Sequence, residues 1–486
     1  MEQRVPATVA PPAEIEGGTP DLLRHTADVA IAYRSSLAER RVGSAPGLTA
    51  ESLRASLGGP LRDLGEDPRT VIDDLVAGVE PGLVAMGSPR YFGFVIGGSV
   101  PAALASDWLT STWEQNTGLY LATPAASVVE EIVGGWLLDL FGLPPGSSVG
   151  FTSGATMAHF TALAAARHAV LRQVAWDVEE DGLIGAPAIH VIVGKDVHVS
   201  LVKALRMVGL GRRRAIRVAS DDEGRMRPAE LRQVLAQLPA GPTVVCAQAG
   251  EVNTGAFDPL DEIADVLRDR PGAWLHVDGA FGLWAAAVPA MRSRVAGNDR
   301  ADSWTTDAHK WLNVPYDSGL VFVRDVAAHR AAMGAAAAYL PPATGAERDP
   351  FDYVPELSRR ARGFAVSAAP RSLGRAGVAE LVERTCAVAR RMAERLASVS
   401  GSELLNEVVL NQVLVRFDDD DELTRDVAAR VQAEGTAWLG GTTFHGRQAI
   451  RISVSNWATT EADGDRSVDA IVRSLGEARV AHGRPG

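Results

Sequence analysis

The chain has 486 residues, 46% of them hydrophobic and 22% charged, an ordinary balance for a soluble globular protein whose core needs neither metal nor disulfide. Its 60 acidic residues outnumber its 48 lysines and arginines, and the net charge of −12 argues against a nucleic-acid binder and against adhesion to anionic membranes. There is no basic-then-apolar leader, the best apolar run (95–104) ends near Asp107 before it could span a bilayer, and only Cys246 and Cys386 are present, so a cytoplasmic location is expected.

Residues 1–20, rich in Pro, Ala, Gly and Glu, read as a mobile tail. Residues 21–100 read as an N-terminal helical segment, with Leu22, Leu23, Ala27, Val29 and Ala30, then Leu53 and Leu57, recurring near one helical turn. Residues 101–372 form the large domain. Its expected order is a helix at 156–171, a buried strand at 188–193, a helix at 197–210, a short strand at 215–219 and a Pro-initiated helix at 228–238. A strand at 243–247, a helix at 260–268, a strand at 273–277 ending on Asp278, and strands at 303–306 and 319–323 follow. This alternation implies a mostly parallel sheet covered on both faces, with ligands beyond the carboxyl ends of the strands. Residues 373–486 change character: a long helix at 378–397, strands at 408–417 and 449–454, and a helix at 423–434 imply a small α+β domain.

Four segments carry chemistry. The run 151–156 (FTSGAT) opens a helix with small residues, which suits a phosphate at the positive helix end, although such starts are also common caps. Asp278 closes a buried strand, where a carboxylate needs a cationic partner such as a protonated heterocycle nitrogen; a structural ion pair is the competing reading. Lys310 lies between His309 and Trp311 just after a strand, and a partly desolvated lysine there becomes a nucleophile able to form a Schiff base. His198 marks a strand-to-helix junction, where a lone histidine is more often a cap. No metal-ligating set is read. A phosphate cradle, an acid, a lysine and a flat aromatic group together are what pyridoxal 5′-phosphate requires, the acid keeping the pyridine protonated as an electron sink.

With these motifs the chain resembles the group II pyridoxal-phosphate-dependent decarboxylases, the aromatic-L-amino-acid and glutamate decarboxylase family, from about Ser88 to Ala458. The matching pieces are 88–93 (SPRYFG), 123–125 (TPA), 153–156 (SGAT), 276–278 (HVD), 307–311 (DAHKW) and 451–456 (RISVSN). The resemblance implies a fold-type-I α/β architecture, with a seven-stranded-type sheet and a small C-terminal α+β domain. It also implies a homodimer whose active sites use both subunits, and a small amino acid as substrate. By the same resemblance Lys310 carries the Schiff base and Asp278 partners the pyridine nitrogen. Ala280 lies against the ring, His198 stacks on it, and Ala155, Thr156, Asp307 and His309 hold the phosphate. Departures are Met157 for Glu, Phe281 for Tyr, Gly279 for Ala and Asp307 for Asn. An anion at Asp307 beside a phosphate is unfavourable unless a neighbour intervenes. Pro370 is expected to begin a helix.

The fold also hosts aminotransferases, so it does not choose the reaction. Tyr339, 29 residues past Lys310, matches the mobile-loop tyrosine that reprotonates the substrate carbon in the decarboxylases; related aldehyde synthases commonly carry Phe there. Tyr339 with His198 favours plain decarboxylation to amine and carbon dioxide, with an aldehyde synthase (oxidative deaminase) or an aminotransferase as the alternative. The segment 91–95 corresponds to a pocket wall in relatives. Phe94 and Val95 are therefore expected to meet an aromatic or apolar substrate, whereas Tyr91 and Phe92 read as core.

Overall fold

The computed structural model describes residues 12–335 and 347–484. Among these, seven strands make one sheet: β1 (Ser148–Thr152), β2 (His190–Gly194), β3 (Ile216–Val218), β4 (Thr243–Gln248), β5 (Trp274–Asp278), β6 (Ser303–Asp307) and β7 (Gly319–Val323). Their spatial order is β1-β7-β6-β5-β4-β2-β3, with β7 antiparallel to both neighbours and the remaining pairs parallel. The continuous apolar runs follow from burial on both faces. Along β4, Val245 and Ala247 enter one core while Val244 and Cys246 enter the other. The first core takes the apolar side of helices Pro124–Phe141 and Leu260–Leu267. The second takes the Ala-rich helix Ala155–Arg172 and helix Val199–Met207. Cys246 and Cys386 are both buried and unpaired.

A second, antiparallel sheet of β8 (Ser402–Leu404), β9 (Gln412–Phe417), β10 (Gly440–Phe444) and β11 (Arg447–Ser453) has the order β10-β11-β9-β8. Helices Asp421–Glu434 and Glu461–Ala481 share its core, and Phe92 from the N-terminal region joins them.

Three expectations change. Helix Pro12–Ser36 takes in the end of the stretch read as a tail, continuing through Pro20. Helices Ala50–Leu57 and Pro68–Val79 follow, but 83–100 holds no helix, because this glycine-broken run threads between other elements. The long helix spans Gly363–Ala397 and is broken at Gly374 (φ 67°, ψ 173°). Pro370 therefore lies inside the first segment, and the left-handed glycine, not the proline, starts the second.

Candidate active site

The carboxyl ends of β4, β5 and β6 meet at one place. Asp278 is the last residue of β5, buried, and held between Gln248 of β4 and Thr305 of β6 in register. Its Oδ1 accepts the Ala280 amide at 3.1 Å, which also fixes Ala280 beside it. Burial by itself would raise this carboxyl's pKa. His159, His198 and Lys310 outweigh that and hold it well below the usual carboxylate range, so Asp278 is an anion at neutral pH.

His198 is the N-cap of helix Val199–Met207. Its Nδ1 faces Ser200 Oγ at 2.7 Å, and its backbone amide donates to Gln248 Oε1 at 3.2 Å. Burial, with Lys310 nearby, lowers its pKa against the pull of Asp278, leaving a neutral flat ring at the mouth of the sheet. The capping reading and the site reading of His198 thus describe one residue.

β6 delivers Asp307, and the turn beyond it delivers His309 and Lys310. Lys310 Nζ lies 2.9 Å from Asp307 Oδ2, and His309 Nε2 lies 3.6 Å from the same oxygen. His309 accepts the Ser318 amide at Nδ1 (3.1 Å) and stacks on Tyr316 at 4.3 Å. Asp307 Oδ1 accepts the Ala155 amide at 2.6 Å, so the carboxylate caps helix Ala155–Arg172. This resolves the conflict raised by an anion near a phosphate: Asp307 binds a helix-end amide and the lysine. The amide of Ala155 is spent in that bond, whereas Thr156 and His309, the other residues of the expected set, line the same cleft. Ser153, Gly154, Ala155, Thr156, Met157, His198, Ser200, Asp307, His309 and Lys310 line a single cleft of ≈ 270 Å³.

The 93–98 segment lies directly over the lysine turn. A Cβ at Gly97 would sit 1.9 Å from the Lys310 carbonyl oxygen, so only glycine permits this approach. Asn313 ties the layers together: its Oδ1 accepts the amides of Gly98 (2.6 Å) and Trp457 (3.0 Å), and its Nδ2 donates to Ser455 O. Of the two residues expected to meet substrate, Phe94 is exposed and stacks on Trp438 at 5.6 Å. Val95 is 5% exposed and packed in the core of the large sheet. Tyr91 and Phe92 are core, as read, with Tyr91 also stacked on Trp438 at 5.1 Å. Tyr339 lies outside the described residues.

Sequence reasoning missed two members. His159 lies 3.3 Å from Asp278 Oδ2, and its only signal was a polar residue on an otherwise apolar Ala-rich helix. Trp438 lies in a loop far along the chain and is signalled only by its contacts with Phe94 and Tyr91.

The family model described as the pyridoxal-dependent decarboxylase conserved domain matches residues 52–418. The chain belongs to the pyridoxal-dependent decarboxylases. Tryptophan decarboxylase 1 of Oryza sativa subsp. japonica is 29% identical over 85% of this chain and 84% of its own length. The human acidic amino acid decarboxylase is 30% identical over 74% of this chain and 68% of its own. A crystal structure of the rice tryptophan decarboxylase with pyridoxal phosphate and tryptamine superposes with a TM-score of 0.87. It is 24% identical, covers 98% of this chain and 99% of that one, and shares the fold. This decarboxylase is therefore a pyridoxal-phosphate-dependent carboxy-lyase acting on an amino acid. Its own residues fit the cofactor: an amine on the turn after β6, a neutral flat ring and a helix N-terminus line one cleft, and a buried anion ends the adjacent strand β5.

Proposed function

We propose that the enzyme converts an L-amino acid with an aromatic or apolar side chain into its amine and carbon dioxide. The observation that supports the substrate class is the exposed Phe94, stacked on Trp438 in the segment that crosses the lysine turn, together with Tyr316 stacked on His309. When bound, pyridoxal phosphate supplies an electron-accepting ring. Asp278 keeps that ring's nitrogen protonated, Ala280 and His198 pack against its faces, and Thr156 and His309 hold its phosphate. Lys310 would anchor it and release the product amine, and Asp307, 2.9 Å from Lys310 Nζ, orients that side chain. Arg451 on β11, half-buried and within electrostatic reach of His198, is the carboxylate partner for the substrate. Tyr339 delivers the proton to the substrate carbon, a role supported by its spacing from Lys310.

The active unit is a homodimer. Trp108, Leu109 and Trp113 on helix Pro101–Trp113, and Val128, Ile132 and Trp136 one turn apart on helix Pro124–Phe141, leave an apolar surface exposed on the single chain. A second copy covers it, and light scattering at twice the 51.3 kDa chain mass is the expected result.

The test is product analysis across the proteinogenic amino acids. Equal yields of amine and carbon dioxide, highest with aromatic substrates, are expected; keto acid as main product, or turnover confined to acidic or basic substrates, overturns the reading. Tyr339→Phe is expected to cut amine formation strongly and carbon dioxide release less, with aldehyde appearing and oxygen consumed. An unchanged amine yield removes Tyr339 from proton delivery.

A further inference from the structure

Asp278 ends a row of buried polar groups, none of which lines the cleft. His159 Nε2 is 3.3 Å from Asp278 Oδ2. His159 Nδ1 is 2.9 Å from His276 Nε2 and 3.3 Å from Thr305 Oγ1. His276 Nδ1 is 2.9 Å from Ser303 Oγ, which accepts the Trp274 indole N–H at 2.8 Å. His159, His276, Ser303 and Thr305 are all 0% exposed. Such a row costs free energy unless every member is satisfied, and a core of alanines would fill the space without that risk.

The donors and acceptors can be assigned from the acidic end. Ionised Asp278 only accepts, so His159 must carry its proton on Nε2. His276 is neutral, because burial pushes its pKa down to about 3, so it has one N–H to give. With His159 also neutral, its Nδ1 accepts and His276 donates from Nε2. His276 Nδ1 then accepts from the Ser303 hydroxyl, whose lone pair takes the Trp274 N–H. Each donor then points toward Asp278, the last of them being His159 Nε2, which is buried with no in-line hydrogen bond and lies 3.3 Å from Asp278 Oδ2. A cationic His159 would reverse the two inner bonds and compete with a protonated pyridine for the same carboxylate.

We propose that His159 is a positioning residue that donates from Nε2 to Asp278, with its tautomer fixed by His276 and Ser303, so that Asp278 presents its charge to the cofactor nitrogen in one orientation. The proposal rests on the assignment of Asp278 as the pyridine partner and adds the groups that hold it. The sequence places them on three separate elements: helix Ala155–Arg172 for His159, β5 for His276 and β6 for Ser303.

Two measurements test it. In the apoenzyme, ¹⁵N-histidine NMR is expected to show His159 and His276 both as Nε2–H tautomers between pH 6 and 8; an Nδ1–H tautomer or an imidazolium at His159 overturns the proposal without any variant. In the holoenzyme, His159→Leu is expected to weaken pyridoxal phosphate binding by about tenfold and to shift the pH at which the bound cofactor's absorbance changes. His159→Gln, whose amide N–H reaches the same carboxylate, is expected to restore most of both. A Leu variant with parental cofactor affinity and spectrum, alongside an impaired Asp278→Asn variant, discards the relay and keeps the Asp278 assignment. Parental cofactor behaviour in Asp278→Asn discards the assignment itself.

Discussion

Asp278 and Asp258 sit near the ends of adjacent strands, 5% and 3% exposed, and burial drives them in opposite net directions. Asp258 accepts two backbone amides, from Met226 and Gln248, each at 2.7 Å, but faces no cation. Burial first, then Asp221 and Glu251, push its pKa up to about 7. Asp278 suffers the same desolvation, yet His159, His198 and Lys310 overturn it and keep the group ionised. A buried carboxylate is therefore not by itself a mark of a working acid. What separates the functional one is the set of groups that stabilise its charge, and in this enzyme those groups come from three elements.

The largest break in that contrast is expected from Lys310→Ala, which removes the amine from Asp307 and from the field at Asp278, and with it the point of cofactor attachment. Activity is expected to fall by several orders of magnitude. Borohydride reduction of the parent enzyme followed by peptide mapping is expected to label Lys310; a label on Lys195 or Lys203 refutes the placement. Next comes the pair Asp278→Asn and Asp258→Asn. The first is expected to lower kcat by about 10²–10³-fold, the range for losing one charge-stabilising group. The second is expected to leave kcat within about threefold, since Asp258 touches backbone amides only. Equal losses in both would mean that the two acids serve the fold alike.

The strands ending at these acids were largely legible in the sequence. β4, β5 and β7 are apolar runs buried on both faces, and 243–247, 273–277 and 319–323 mark them within a residue. β1 (SVGFT) and β10 (GGTTF) were not, because small and polar residues hide a strand whose pairing comes from distant partners. The same reason explains the site. Lys310, Asp278 and His198 stand in local motifs, whereas His159 gains its meaning from a strand more than a hundred residues later.

Stability as a function of pH sharpens the comparison further. Asp278 has a folded pKa below its ordinary value of 3.8, so its contribution is present above that value and is lost as pH falls below about 4. Asp258 has the opposite sign: the folded protein keeps a proton that the unfolded chain releases, so its contribution fades as pH rises from 3.8 to about 7. Asp302, raised to about 6 by burial, acts in the same direction over part of that window. Urea unfolding of the apoenzyme is therefore expected to show a decline between pH 4.5 and 7.5 that is shallower in Asp258→Asn, by on the order of a few kcal/mol. An identical slope in parent and variant would mean that Asp258 titrates normally.

The smallest effect is expected at Gln248, the residue that joins the two regions. Its backbone amide serves Asp258 at 2.7 Å, its side-chain oxygen accepts the His198 amide at 3.2 Å, and its Cα pairs with that of Asp278. These duties separate cleanly by atom. Gln248→Leu keeps the backbone donor, so the pH-dependent stability assigned to Asp258 is expected to stay unchanged. It removes the acceptor for the His198 N–H, at a cost of about 1–2 kcal/mol in stability. It also frees the start of helix Val199–Met207, so the His198 ring is expected to lose its fixed orientation and kcat to fall a few-fold, with cofactor affinity weakened to a similar degree. If the variant instead abolished the pH dependence, Gln248 would be holding Asp258 through its side chain. If kcat did not move at all, the ring of His198 would be positioned by Ser200 alone, through the 2.7 Å contact at Nδ1.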